Sequence, residues 1–246
     1  MKLTEEVYIV GSGRNGLDIS NRYDCHVYLI NGGGELALID SGVGMDAQRI
    51  LDNTVAEGFR LGDISKVLLT HAHADHSGGC AALKAKLGVS VIMASEEARF
   101  LQTANEDELG LTLARSAGWY PPEYRLKPCH VDVELEDGHE ITVGELHIKA
   151  IKAPGHSRGS VCYMMKGREL NYLFTGDTVF LRGHISLLNA PGSSLEDYRH
   201  GINKLANLGV DALLPGHLCF CLRGGQSHID DAIIAFRDLR VPKCIL

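Results

Sequence analysis

The sequence predicts an α/β protein in which two β-sheets pack together with helices on the outside. Three observations carry this. Short runs rich in Val, Ile, Leu and Tyr, bounded by glycine turns, recur in both parts of the chain. In each part the strands come first and the helices after. With 246 residues, 45% of them hydrophobic and 22% charged, the chain can bury a real core. There is no internal repeat, low-complexity tract or linker, so residues 1–246 read as a single domain built of two similar halves.

The elements follow in order. EEVYIV, CHVYLIN and ELALID read as strands, the last two separated by the Gly32-Gly33-Gly34 turn. Met45 to Glu57 has helical spacing and stops at Gly58. KVLLT, Lys66 to Thr70, is a buried strand. Gly79 to Leu87 is a short helix ended by Gly88, and VSVIMA is the next strand. Ser95 to Leu101 and Glu106 to Ala117 read as helices, and Trp119 to Pro128 as a proline-broken connection. VDVEL, EITV, ELHIKAI, SVCYMMK and NYLFTGD are strands of the second half. Ser194 caps a helix running to about Asn207, with Asp197 three positions on. DALLPG is a strand entering a turn, and Gln226 to Leu239 is the last helix.

Composition narrows the function. No apolar run approaches the roughly 18 residues of a membrane helix, and the start MKLTEEVYIVGSG lacks the apolar core of an export signal. The expected location is cytoplasmic. Seven scattered cysteines form a poor disulfide framework and read as reduced core residues. A net charge of -7 argues against nucleic acid as a partner, because phosphate binding needs a basic excess. Gly11-Ser12-Gly13-Arg14-Asn15-Gly16 matches G-x-G-x-x-G after a strand, but no helical period follows it. It reads as a glycine-rich loop that can border the active site, not as a dinucleotide fingerprint.

The chemistry is concentrated in Thr70-His71-Ala72-His73-Ala74-Asp75-His76-Ser77-Gly78-Gly79. Four metal-capable side chains fall within six positions between a strand and a helix. The small spacers Ala72 and Ala74 let the backbone fold closely around an ion. In extended chain His71 and His73 point the same way, while Asp75 and His76 fall where the chain turns and can face a second ion. Imidazole and carboxylate suit zinc, manganese or iron. His156, Asp177 and His217 each sit in a turn signature (P-G-H, T-G-D, P-G-H) at the end of a strand. Such strand-end turns along one rim are where ligands can converge.

The H-x-H-x-D-H motif after a strand resembles the metallo-β-lactamase superfamily, and the resemblance runs from about Val27 to His217. It implies an αββα sandwich of the metallo-β-lactamase type. It also implies two divalent metal ions, zinc first, with manganese or iron as alternatives. His71, His73 and His156 would bind one ion, and Asp75, His76 and His217 the other. Asp177 would be shared, Asp40 of LIDSG would support the site from behind, and Asp75 would also orient the attacking group. The implied reaction is attack of a metal-bridged hydroxide on a carbonyl.

Within the superfamily, Thr175 to Phe180 resembles the TGDTLF of glyoxalase II, although Arg182 to Ser186 departs from that enzyme's next segment. True β-lactamases lack the aspartate at the Asp177 position and are exported. Lactonases of the family carry a tyrosine where this chain has Phe180. The expected function is a metal-dependent hydrolase of a thioester, ester or lactone. The alternatives are a mononuclear iron persulfide dioxygenase-like enzyme, or β-lactamase or phosphodiesterase activity on the same fold. The partner would be a small-molecule substrate, with an anionic one favoured if arginines such as Arg158, Arg182 or Arg223 reach it. Trp119, Tyr120 and Tyr124 are candidates for an apolar wall, and Phe220 and His184 for further pocket contacts. A homo-oligomer is compatible with the sequence.

Overall fold

In the computed structural model, which describes residues 1–245, two sheets face one another. The first has six strands in sequence order: β1 (Val7–Gly11), β2 (Val27–Asn31), β3 (Leu36–Ile39), β4 (Ile64–Leu68), β5 (Ser90–Ala94) and β6 (Val133–Leu135). β1, β2 and β3 pair antiparallel, and β3 to β6 run parallel. The second sheet is ordered β11-β10-β9-β8-β7, from β7 (Glu140–Val143), β8 (Leu146–Lys152), β9 (Val161–Lys166), β10 (Asn171–Gly176) and β11 (Ala212–Pro215). Only the β10–β11 pair is parallel.

Side-chain alternation along these strands makes three apolar layers. Val7, Ile9, Tyr28, Ile30 and Ile39 meet Ile148, Tyr163, Met165, Tyr172 and Phe174 between the sheets. The intervening Tyr8, Val10, Val27, Leu29 and Leu38 turn outward onto helices α1 (Ala47–Ala56), α3 (Cys80–Leu87) and α4 (Ser95–Thr103). Behind the second sheet, Cys162, Met164 and Leu173 pack on α6 (Leu195–Gly201) and α7 (Gly225–Arg237). Burial on both faces is why these strands read as continuous apolar runs. The architecture is thus α, β, β, α, as expected.

The expected elements form, with two local differences. The helix expected from Glu106 begins only at Leu111, as α5 (Leu111–Ser116), because Gly110 adopts φ +69° and Asn105 Oδ1 draws the Glu108 N–H into a turn. The helix capped by Ser194, whose hydroxyl accepts from Asp197 N at 3.2 Å, tightens into 3-10 geometry over Ile202–Leu205. Asp75 and His76 lie in a one-turn helix, α2 (Ala74–Ser77). All seven cysteines are free, and Cys25, Cys80, Cys129 and Cys162 are buried. Among the described residues no helix is long and apolar enough to cross a membrane.

Candidate metal centre

The seven residues singled out by sequence converge on one rim of the sandwich. β4 leads into His71 and His73, and α2 adds Asp75 and His76. The turns after β8, β10 and β11 carry His156, Asp177 and His217. Because β3, β4, β8, β10 and β11 all end on this side, two sheets deliver donors to one place. Close backbone contact seats the halves: Val161 N donates to Thr70 O at 2.8 Å, and Tyr163 Oη to Leu69 O at 2.7 Å. Gly176, at φ +49°, is needed here, since a Cβ would lie 2.5 Å from Thr70 Oγ1.

Three imidazoles form the first group. His156 Nε2 lies 2.9 Å from His73 Nδ1 and 3.2 Å from His71 Nε2. Their other nitrogens show which atoms carry lone pairs. His156 Nδ1 donates to the Ser186 carbonyl at 2.7 Å, so Nε2 is the bare nitrogen. His71 Nδ1 lies 3.0 Å from Thr70 Oγ1, whose proton goes to Asp40, so here too Nε2 points inward without a proton. Burial, then the neighbouring imidazoles, hold His71 well below the ordinary histidine range. Burial, then His73, brings His156 down to about 4. Inward lone pairs on neutral rings at this spacing are what a cation requires.

The second group is Asp75, His76 and His217, whose donor atoms lie within 4.8 Å of one another. His217 Nε2 meets Asp75 Oδ2 at 3.0 Å, and Tyr120 Oη donates to the other oxygen, Oδ1, at 3.1 Å. His76 Nδ1 donates to Asp40 Oδ2 at 2.8 Å. Asp40 also accepts from Thr70 N at 2.8 Å and from Thr70 Oγ1, all from a left-handed φ of +63°. Asp177 lies between the groups: Oδ1 is 3.5 Å from His76 Nε2, and Oδ2 is 3.7 Å from both His156 and His217 Nε2. Burial works against ionising Asp75, but His76 and His217 hold its carboxyl well below the usual range. Among the described residues, His76 Nε2 and Asp177 Oδ1 are buried with no hydrogen-bond partner. Burying such atoms is costly unless something satisfies them, and both point where a cation would sit. The imidazole and carboxylate donors therefore fit divalent metal.

Above this floor opens a cavity of about 600 Å³. His73, Asp75, His156, Asp177 and His217 reach it, as do Trp119 and Tyr120. Other candidate contacts do not. Arg158 pairs with Glu108 at 3.1 Å and stacks on Phe100, and neither it, Arg182 nor Arg223 lines the cavity. Tyr124 instead donates to Val43 O at 2.8 Å, Phe220 packs against His26, and His184 faces elsewhere. The arginines that do line it are Arg14 and Arg22, from a segment far from every candidate ligand in sequence. Ser186, which holds His156, also carried no sequence signal.

A family model described as the metallo-beta-lactamase superfamily matches residues 21–217, and the chain belongs to that superfamily. It is 29% identical over 208 residues to an acyl-coenzyme A thioesterase of Bos taurus, covering 78% of this chain and 72% of that one. It is 31% identical over 156 residues to a probable polyketide biosynthesis zinc-dependent hydrolase of Bacillus velezensis, covering 63% and 54%. A hydroxyacylglutathione hydrolase of Anaeromyxobacter dehalogenans is 32% identical over 160 residues, covering 65% and 48%. The match thus spans about half the length of these last two. Among solved structures, a metallo-beta-lactamase from Cronobacter sakazakii superposes with TM-score 0.74 at 23% identity, covering 97% of this chain and 95% of that one. That likeness establishes the shared fold. Family and relatives together make the chain a metal-dependent hydrolase.

Proposed function

We propose that the protein is a binuclear hydrolase that cleaves a carbonyl substrate, with a thioester first and an ester or lactone next. The observation that carries this is the placement of Asp177 between two donor groups, His71/His73/His156 and Asp75/His76/His217, with inward atoms left unsatisfied. These seven residues would hold two divalent ions, with zinc favoured. The acyl-coenzyme A thioesterase among the relatives supports the choice of a thioester.

Metal held there supplies Lewis-acid polarisation of the carbonyl and a water of lowered pKa. The chain supplies the rest. Asp75 is ionised and held at Oδ1 by the Tyr120 hydroxyl, so its carboxylate can align the attacking water and accept a proton from it. Asp40 and Ser186 lock the His76 and His156 rings, so that neither rotates as the reaction proceeds. The cavity is large enough for a small-molecule acyl group above this floor.

Metal analysis of the purified protein, coupled to a panel of thioesters, lactones, nitrocefin and bis-(p-nitrophenyl) phosphate, tests the proposal. Two equivalents of metal, thioester turnover lost on chelation, and loss of turnover in Asp177→Ala are expected. Turnover of the phosphodiester alone, or a single iron with oxygen uptake on persulfides, overturns it.

A further inference from the structure

The G-x-G-x-x-G segment left unexplained by the chemistry has a definite shape. It folds back on Asn21 to Asp24, with Gly13 N donating to Asp24 O and Arg14 N to Arg22 O, both at 3.0 Å. A Cβ on Gly13 would lie 2.6 Å from the Arg22 and Asp24 carbonyls, and one on Gly16 would lie 2.3 Å from His26 Cε1. The glycines therefore serve close packing, not a phosphate cradle. Hydrogen bonds from Ser12 N to Ser20 Oγ (2.8 Å) and from Ser20 Oγ to Asp24 Oδ2 (2.6 Å) lock the fold-back. Leu218 N donates to Asn15 O at 2.6 Å and fastens the loop to the turn that carries His217.

This scaffold brings two guanidinium groups to one aromatic ring at the cavity wall. Arg14 and Arg22 both stand over the Tyr23 ring, at 5.7 and 5.3 Å from its centroid. Among the described residues neither makes an ion pair with a carboxylate. Two guanidinium groups free of carboxylate partners leave net positive charge on this wall, which suits an anion. Both line the cavity over the candidate metal centre. Tyr23 in turn lies 5.8 Å from Tyr120, whose hydroxyl holds Asp75. Much of the remaining wall is apolar: Leu109, Leu111, Leu113, Ala114, Trp119 and Leu188. Leu113 and Trp119, both on this wall, are 55% and 46% exposed, which leaves apolar surface open to a ligand.

We propose that the substrate is an acyl thioester whose thiol carrier bears phosphate. The apolar wall takes the acyl chain, and Arg14 with Arg22 takes the phosphate by charge-assisted, two-pronged hydrogen bonds. The inference rests on the carbonyl-hydrolase reading. Water adds to the thioester carbon and the C–S bond breaks with its electron pair on sulfur. The sulfur takes a proton from that water, giving a carboxylic acid and the free thiol.

Uncleavable thioethers separate recognition from turnover. Calorimetry on the metal-loaded protein compares S-decyl coenzyme A, S-decyl phosphopantetheine, S-decyl pantetheine and S-methyl coenzyme A. S-decyl coenzyme A is expected to bind roughly tenfold or more tighter than S-decyl pantetheine, which lacks phosphate, and than S-methyl coenzyme A, which lacks the chain. The double variant Arg14→Gln/Arg22→Gln should lose the first advantage and leave binding of S-decyl pantetheine unchanged. If S-decyl phosphopantetheine matches S-decyl coenzyme A, the pantetheine-linked phosphate is the one read; if it is weaker, the nucleotide phosphates are. Equal affinity with and without phosphate, or a double variant that binds S-decyl coenzyme A as the parent does, overturns the inference. Decanoyl thioesters report separately: tight binding without turnover sinks the hydrolase reading, and turnover indifferent to phosphate sinks only the carrier assignment.

Discussion

Asp40 governs a proton two steps from any candidate metal. Its carboxylate accepts from Thr70 N, Thr70 Oγ1 and His76 Nδ1, which keeps a proton on Nδ1 and turns Nε2 inward as the atom available to a metal. Asp40→Asn can present an N–H to His76 and reverse its tautomer. Metal affinity should then fall by about 10–100-fold, as for other lost partners of metal-bound histidines, which chelator competition would read. Glu97 has a different task. Buried at 3% exposure, it accepts from Ala72 N at 2.8 Å and Gly159 N at 3.0 Å, and so joins the His71–His76 turn to the turn following His156. Glu97→Ala strands two buried N–H groups at about 1–3 kcal/mol each, a loss that denaturant unfolding would show. Residues of this kind leave no local mark in a sequence. The candidate ligands were legible because six consecutive positions hold four of them and the rest sit in strand-end turns. Arg14, Arg22 and Glu97 were not, because what defines them is a neighbour far along the chain. Arg158 misled for the same reason: it is close to His156 in sequence but engaged by Glu108.

At the level of elements, strand and helix positions were readable because both sheets are buried on both faces and glycine marks most ends. The helix expected from Glu106 failed where Gly110 takes a left-handed φ, a choice that apolar spacing does not report. The residues that tie one sheet to the other were equally hidden, Glu35 among them. This side chain, just before β3, accepts from Ser65 Oγ of β4, from Lys66 Nζ, and from Gly144 N in the β7–β8 turn at 2.7 Å. Partial burial works upward on its pKa, but the hydrogen bonds from Lys66, Ser65 and Gly144 outweigh it and bring the carboxyl down to about 2. A depressed folded-state value means that stability is present above the ordinary glutamate range, near pH 4.5, and is lost as pH falls from there toward about 2. Glu35→Gln should therefore be less stable than the parent at neutral pH. The difference should shrink through that acid window, as urea titrations at several pH values would measure.

For the whole molecule, the donors are held by two sheets and by hydrogen bonds that need no ion. The metal-free chain should keep its secondary structure while losing stability. At a free metal concentration about 100 times the dissociation constant, loading contributes about 3 kcal/mol. For a chain of this size that corresponds to roughly 5–10 °C in Tm. Far-ultraviolet circular dichroism unchanged by a chelator, together with a lower melting temperature, is the expected pair of results. Collapse of the far-ultraviolet signal on chelation would contradict a preformed cage.

The division of donors between the halves has a mechanical consequence. His71 to His76 belong to the first sheet's rim, and His156, Asp177 and His217 to the second's. A loaded centre would therefore act as a rivet between segments about 80 to 140 positions apart in sequence. Force applied to the termini would meet this rivet before the sheets could be peeled from one another. Rupture force in single-molecule pulling should then drop to a lower, uniform value once the ions are stripped.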